Sequence, residues 1–107
     1  MAEPGFTVKV STTSGRRLDV AGELDLAASS ELRAALADLV DEGGDVTIDL
    51  SAITFIDSTA LTILVHMHNE LAASGARLIV TDPSPVVVRT LQLAGLVSRF
   101  AISGLAD

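Results

Sequence analysis

The sequence predicts a two-layer α/β domain: a mixed, mostly parallel sheet that opens with an N-terminal antiparallel hairpin and carries its helices mainly on one face. Three observations lead there. Short stretches of apolar–polar alternation exchange with longer stretches of helical spacing, in the order β-β-α-β-α-β-α-β. Each strand–helix–strand step implies a right-handed crossover between parallel strands. The strands alternate instead of being continuously apolar, so only one face of the sheet is fully covered.

Taken in order, Phe6, Val8 and Val10 alternate with Thr7, Lys9 and Ser11, the pattern of a half-buried strand. A turn at Ser14-Gly15 leads to Leu18 and Val20 on a second strand, and the short connection makes the pair antiparallel. Helical spacing follows: Ala28, Leu32, Ala35, Leu36, Leu39 and Val40 form one stripe, with Glu31, Arg33, Asp38 and Asp41 outside it. Asp25 is placed to cap this helix, and Gly43-Gly44 to end it. Val46, Ile48 and Leu50 mark a third strand. A helix from about Ser58 to Ser74 carries Leu61, Leu64, Val65, His68, Leu71 and Ala72 on one face, and Gly75 stops it. Leu78 and Val80 mark a fourth strand. Asp82-Pro83-Ser84-Pro85 is a helix-start signal, with proline suited to the first turn. The next helix carries Val87, Val88, Leu91 and Leu93 and ends near Gly95. Arg99 to Ser103 is the candidate last strand, and only the chain ends look loose.

Composition narrows the function. A chain of 107 residues suits one domain, 1–107. Apolar residues make up 49%, but aromatics are limited to Phe6, Phe55 and Phe100, so the core is aliphatic. Seven basic against fourteen acidic residues give a net charge of -7, which argues against nucleic acid or an anionic membrane as partner. The absence of cysteine excludes disulfides, thiolate catalysis and cysteine metal sites. The N-terminus lacks the pattern of a signal peptide, and no apolar run reaches the length of a membrane span, so a cytoplasmic location is expected.

The most telling stretch is Phe55-Ile56-Asp57-Ser58-Thr59-Ala60-Leu61, where a buried strand gives way to a helix. If Asp57 is the cap, Ser58 is the first helical residue and its hydroxyl points outward, in the positive end field of the helix. The plain alternative is that Asp57 and Ser58 only satisfy free backbone N–H groups. A serine hydrolase needs a base within hydrogen-bond reach. The candidates, His66 and His68, lie two or more turns up the same helix, about 10 Å or more away. No G-x-S-x-G elbow is present. Ser58 therefore reads either as part of the helix cap or as a residue that another protein phosphorylates, with Thr59 as the rival acceptor, and the chain is not expected to be an enzyme. Thr59 is expected to turn toward the body of the domain.

The two histidines do not make a metal pair, since residues two apart on a helix do not share a face. His66 and Glu70 do share one, but two ligands are not a site. With no glycine-rich phosphate loop, no cofactor is expected. Gly22-Glu23-Leu24-Asp25 is either a turn with a cap or part of a binding end. Loops leaving parallel strands gather at one end of the sheet, the usual place for binding. The Ser51–Asp57 connection and the Asp82–Pro85 loop, with Ser84, open there too. Asp25, Asp57 and Asp82 are expected to form an acidic rim around Ser58, while Asp49 is an exposed sheet-face residue.

Together these features resemble the STAS domain of the anti-sigma factor antagonists. The resemblance rests on the element order, Gly22-Glu23-Leu24-Asp25, Asp49-Leu50-Ser51 with Phe55-Ile56-Asp57-Ser58-Thr59-Ala60-Leu61, and Pro83-Ser84-Pro85 with Leu93-Ala94-Gly95-Leu96. It covers nearly the whole chain. It implies a partner-switching cycle. The dephosphorylated antagonist binds an anti-sigma factor, a GHKL-type serine kinase, and so frees a sigma factor. The kinase phosphorylates the antagonist and releases it, and a PP2C-type phosphatase resets it. The family pattern Asp-Ser-Ser-Gly-Leu falls on Asp57 to Leu61 and places the modified serine at Ser58, with Thr59 for the second serine and Ala60 for the glycine. The partner-facing surface implied is the Gly22, Glu23 and Asp25 loop, the Asp57, Ser58 and Thr59 tip and the exposed side of the helix that follows. The alternatives are a non-switching STAS interaction module, as a scaffold subunit or a lipid-transport ABC partner, and a nucleotide-binding domain. A weak homodimer through the wetter sheet face stays open.

Overall fold

The structure, a computed structural model, describes residues 6–11 and 16–103. The expected turn at Ser14-Gly15 and both chain ends lie outside these residues. The elements are β1 (Phe6–Ser11), β2 (Arg16–Leu24), α1 (Leu26–Asp41), β3 (Val46–Ile56), α2 (Ser58–Ala73), β4 (Leu78–Thr81), α3 (Pro85–Leu93), a 3-10 turn (Val97–Arg99) and β5 (Ala101–Ser103). The sheet order is β1-β2-β3-β4-β5. β1 is antiparallel to β2, and the other neighbours are parallel. Right-handed crossovers that step one way across a sheet lay every helix on the same side.

The pleat bears this out. On β2, Leu18 and Val20 are buried, and Arg17 and Asp19 are not. On β3, Val46, Ile48 and Leu50 are buried between the half-buried Thr47 and Asp49. Over the open face, Arg17 donates to Asp19 at 2.9 Å and to Asp49 at 2.6 Å. Asp49 is thus tied into a sheet-face ion cluster. The Arg17 pKa is raised, first by its hydrogen bond to Asp19, which outweighs the opposing effect of desolvation, and then by the charges of Asp19, Asp49 and Asp82.

The helices end as their glycines predict. Gly75, at φ +83, donates to the Ala72 carbonyl while Ala76 donates to Leu71, so two free carbonyls of α2 are satisfied together. Gly95 and Leu96 repeat the arrangement on Gln92 and Leu91 at the end of α3. The α1 stripe is buried or half-buried as expected.

Two helix faces differ from expectation. α2 also buries Ala60, Ile63 and Met67, while Ala72 is exposed. α1 packs along its flank as well as the sheet below, which widens the apolar arc. On α3, Leu93 is 80% exposed, because it lies about 200° round the helix from the buried Leu91.

Candidate functional site: two helix starts side by side

β2 and β3 are parallel neighbours, and their last paired residues are Leu24 and Ile56. Each strand then delivers an aspartate that starts a helix. Asp25 Oδ1 accepts from Ala28 N at 2.9 Å, and Asp57 Oδ1 accepts from Ala60 N at 3.0 Å. Asp57 N donates to the Leu24 carbonyl at 3.2 Å, carrying the pairing one step past the strands. The starts of α1 and α2 therefore sit level, and their first residues, Leu26 and Ser58, occupy equivalent places. Both are exposed, Leu26 by 71%.

Ser58 lies on a ridge between two grooves. One, of about 570 Å³, runs between α1 and α2 and is lined by Leu26, Ser29, Ser30, Arg33, Ser58, Thr59, Thr62 and Ile63. The other, of about 410 Å³, lies on the opposite flank of α2 and is lined by Ser58, Leu61, Thr62, Val65, His66, Asn69, Ala94 and Leu96. Two neighbouring hydroxyls are engaged with the backbone: Thr62 donates to the Ser58 carbonyl at 2.8 Å and Ser29 to the Leu26 carbonyl at 2.7 Å. The Ser58 hydroxyl makes no hydrogen bond among the described residues. Thr59 is half-buried and faces the α1–α2 groove, consistent with the expected turn toward the body.

The site supplies a hydroxyl but no activating base. His66 lies eight residues up α2, about 12 Å along its axis, and contacts Glu70 at 3.4 Å. His68 packs edge-on against Phe100 with ring centroids 5.5 Å apart. Among the described residues, no group of three or more His, Cys, Asp or Glu side chains is placed to hold a metal. None of their helices is long and apolar enough to cross a membrane.

The expected rim assembles only in part. Asp25 and Asp57 flank the site, but their carboxylates serve as caps. Gly22 takes φ +102, open to glycine, beside a shift in the β2–β3 register, and accepts from Thr54 Oγ1 at 3.3 Å. Glu23 is exposed opposite the 47% exposed Phe55.

Asp82 and Ser84 need correction. β4 pairs with β3 only as far as Asp49 and Thr81, whereas β2 follows β3 to Ile56. The β4–α3 loop therefore opens beside Leu50 to Ile53, roughly 10–20 Å along the strand from Ile56. Asp82 is exposed there, and its charge is the weakest of those that raise the Arg17 pKa. Ser84 is buried: its N–H donates to the Leu50 carbonyl at 3.2 Å and its hydroxyl to the Ile53 carbonyl at 2.7 Å. It pins the loop to β3 and presents nothing to a partner.

Leu26, Arg33 and Phe55 were not among the residues expected on the partner-facing surface. Leu26 had a signal: it is a large apolar residue that directly follows a cap and falls outside the α1 stripe. Nothing in the linear pattern places Arg33 beside Ser58.

A mixed sheet in this strand order, with two level helix starts and an exposed serine on the second, defines a STAS domain. The STAS domain family model matches residues 9–104, and the chain belongs to that family. It is similar to the anti-sigma-B factor antagonist of Bacillus subtilis (strain 168), at 28% identity over 91 residues, 85% of this chain and 84% of that one. The crystal structure of an anti-sigma factor antagonist from Mycobacterium paratuberculosis superposes with a TM-score of 0.85 at 27% identity, covering 100% of this chain and 93% of that one. The anti-sigma factor antagonist SpoIIAA in its unphosphorylated form gives a TM-score of 0.74 at 25% identity, covering 91% and 86%.

Proposed function

We propose that this STAS domain is an anti-sigma factor antagonist that is switched at Ser58. In the unmodified form, the surface around Ser58 binds an anti-sigma factor of the GHKL serine-kinase type and so frees a sigma factor. Phosphorylation of Ser58 by that kinase releases the antagonist, and a PP2C-type phosphatase restores it. The observation that carries the reading is the exposed, unbonded Ser58 hydroxyl at the first position of α2, on a ridge between two grooves. The family and the antagonists to which this chain is similar support it. The contact surface comprises Gly22, Glu23, Asp25, Asp57, Ser58 and Thr59, with the exposed Leu26 beside them in the α1–α2 groove.

Phosphate suits this position as a switch. It adds about -1.5 to -2 charges and three acceptor oxygens. The helix start favours that charge by about 0.3–1 kcal/mol, so the domain keeps its fold. A partner packed over Ser58 must instead accommodate a doubly charged group beside Asp57. Weakening a complex a hundredfold takes only about 2.8 kcal/mol.

The test is incubation with the cognate kinase and ATP, read by intact mass and phosphosite mapping. One phosphate is expected on Ser58, Ser58→Ala is expected to prevent it while keeping kinase binding, and Thr59 stays unmodified. Normal phosphate uptake by Ser58→Ala overturns the assignment. A stable complex indifferent to phosphate points to a non-switching interaction module.

A further inference from the structure

We propose that Arg33 of α1 is the intramolecular receptor for the Ser58 phosphate, so that modification ties α1 to α2 across the groove between them. The inference rests on Ser58 being the modified residue, and goes beyond it by naming what holds the phosphate. Arg33 and Ser58 line the same groove. Leu24 and Ile56 pair at the ends of β2 and β3, so α1 and α2 start level and run the same way. Arg33 lies seven residues beyond Leu26, about 10 Å up α1. Helical side chains lean back toward the N-terminus of their helix. That is the direction of Ser58.

The guanidinium is free to serve. Among the described residues, Arg17 and Arg77 pair with carboxylates and Arg16 donates to the Asp45 carbonyl. Arg33 has no such partner, and its helix neighbours at three and four residues' distance are Ser29, Ser30, Leu36 and Ala37, none of them acidic. A guanidinium presents a planar fork that binds two phosphate oxygens at once, which an ammonium does not. The unmodified serine offers this fork nothing anionic. The phosphoserine gives it a dianion in the same groove. Phosphorylation then does two things: it adds charge at the ridge, and it closes the groove beside it.

Installing phosphoserine at position 58 by genetic-code expansion tests this without any kinase. Phosphorus NMR gives the second phosphate pKa, ordinarily about 6. With Arg33 in place it is expected about one unit lower than in Arg33→Ala, with Arg33→Lys between them. The carboxylates near the site, Asp57, Asp25 and Glu23, and His66 up the helix are the same in all three proteins and cancel in the comparison. Thermal melting of the unmodified proteins is expected to be unchanged by Arg33→Ala, because Arg33 is exposed. Equal phosphate pKa values in the wild type and Arg33→Ala overturn the proposal. The kinase assay above reports separately on Ser58: if no kinase modifies it but the installed phosphate titrates as expected, the switch reading fails and the Arg33 contact stands.

Discussion

Replacing Asp57 with alanine probes the joint on which the Ser58 site depends. The Asp57 carboxylate accepts a 3.0 Å hydrogen bond from Ala60 N. Losing such a cap costs about 0.5–2 kcal/mol. Here the cost belongs in the upper half of that range, about 1.5 kcal/mol, because Ala60 is 0% exposed and its freed N–H has little access to water. For a domain of this size, that lowers the melting temperature by on the order of 6–12 °C. The chain has no tryptophan or tyrosine, so urea unfolding is best followed by far-ultraviolet circular dichroism. The midpoint is expected to fall with an unchanged slope. Asp57→Asn, an equally good cap, is expected to recover most of the loss. An Asp57→Ala protein as stable as the wild type refutes the capping argument. So does an asparagine variant as damaged as the alanine one, since charge and not the hydrogen bond would then be responsible.

Three further outcomes follow from particular contacts. Ser84→Ala removes the buried 2.7 Å bond to the Ile53 carbonyl and is expected to cost about 1–3 kcal/mol in urea unfolding while leaving phosphate uptake at Ser58 unchanged. Leu26→Glu changes a 71% exposed residue, so stability is expected to move by less than about 0.5 kcal/mol. Titration calorimetry is expected to show at least a tenfold weaker complex with the anti-sigma factor, because a charge then faces the apolar side of the groove. Arg17→Ala breaks the half-exposed bridge to Asp19 and Asp49; a loss of about 0.2–1 kcal/mol at low salt is expected to shrink in 1 M salt, and a loss that does not shrink argues for packing instead.

Much of the architecture was legible because periodicity is a local property. Alternation at Val46, Ile48 and Leu50 and helical spacing from Ala28 to Val40 needed no knowledge of neighbours. The caps were legible for the same reason, since Asp25 and Asp57 bond to amides three residues ahead. The breadth of the buried face of α2, which takes in Ala60, Ile63 and Met67, was not, because α2 packs on a helix about thirty residues earlier in the chain as well as on the sheet. Leu93 was misplaced by reading the apolar residues of α3 as one stripe when its last member turns to solvent.

The acidic rim marks the boundary most clearly. Sequence order alone puts the three loops after β2, β3 and β4 at one end of the sheet. Where each opens along that end depends on strand pairing, and β4 leaves β3 at Asp49 while β2 stays to Ile56. That stagger keeps Asp82 away from the end of β3, buries Ser84 against β3 at the head of α3 and leaves Ser58 with neighbours from α1 instead. By itself the chain determined its layers, its caps and the serine at the head of α2, all set by spacings of two to four residues. Only the tertiary structure decided that Leu26 and Arg33 share a groove with Ser58, because closeness across parallel strands is fixed by register, which pairs residues about thirty positions apart.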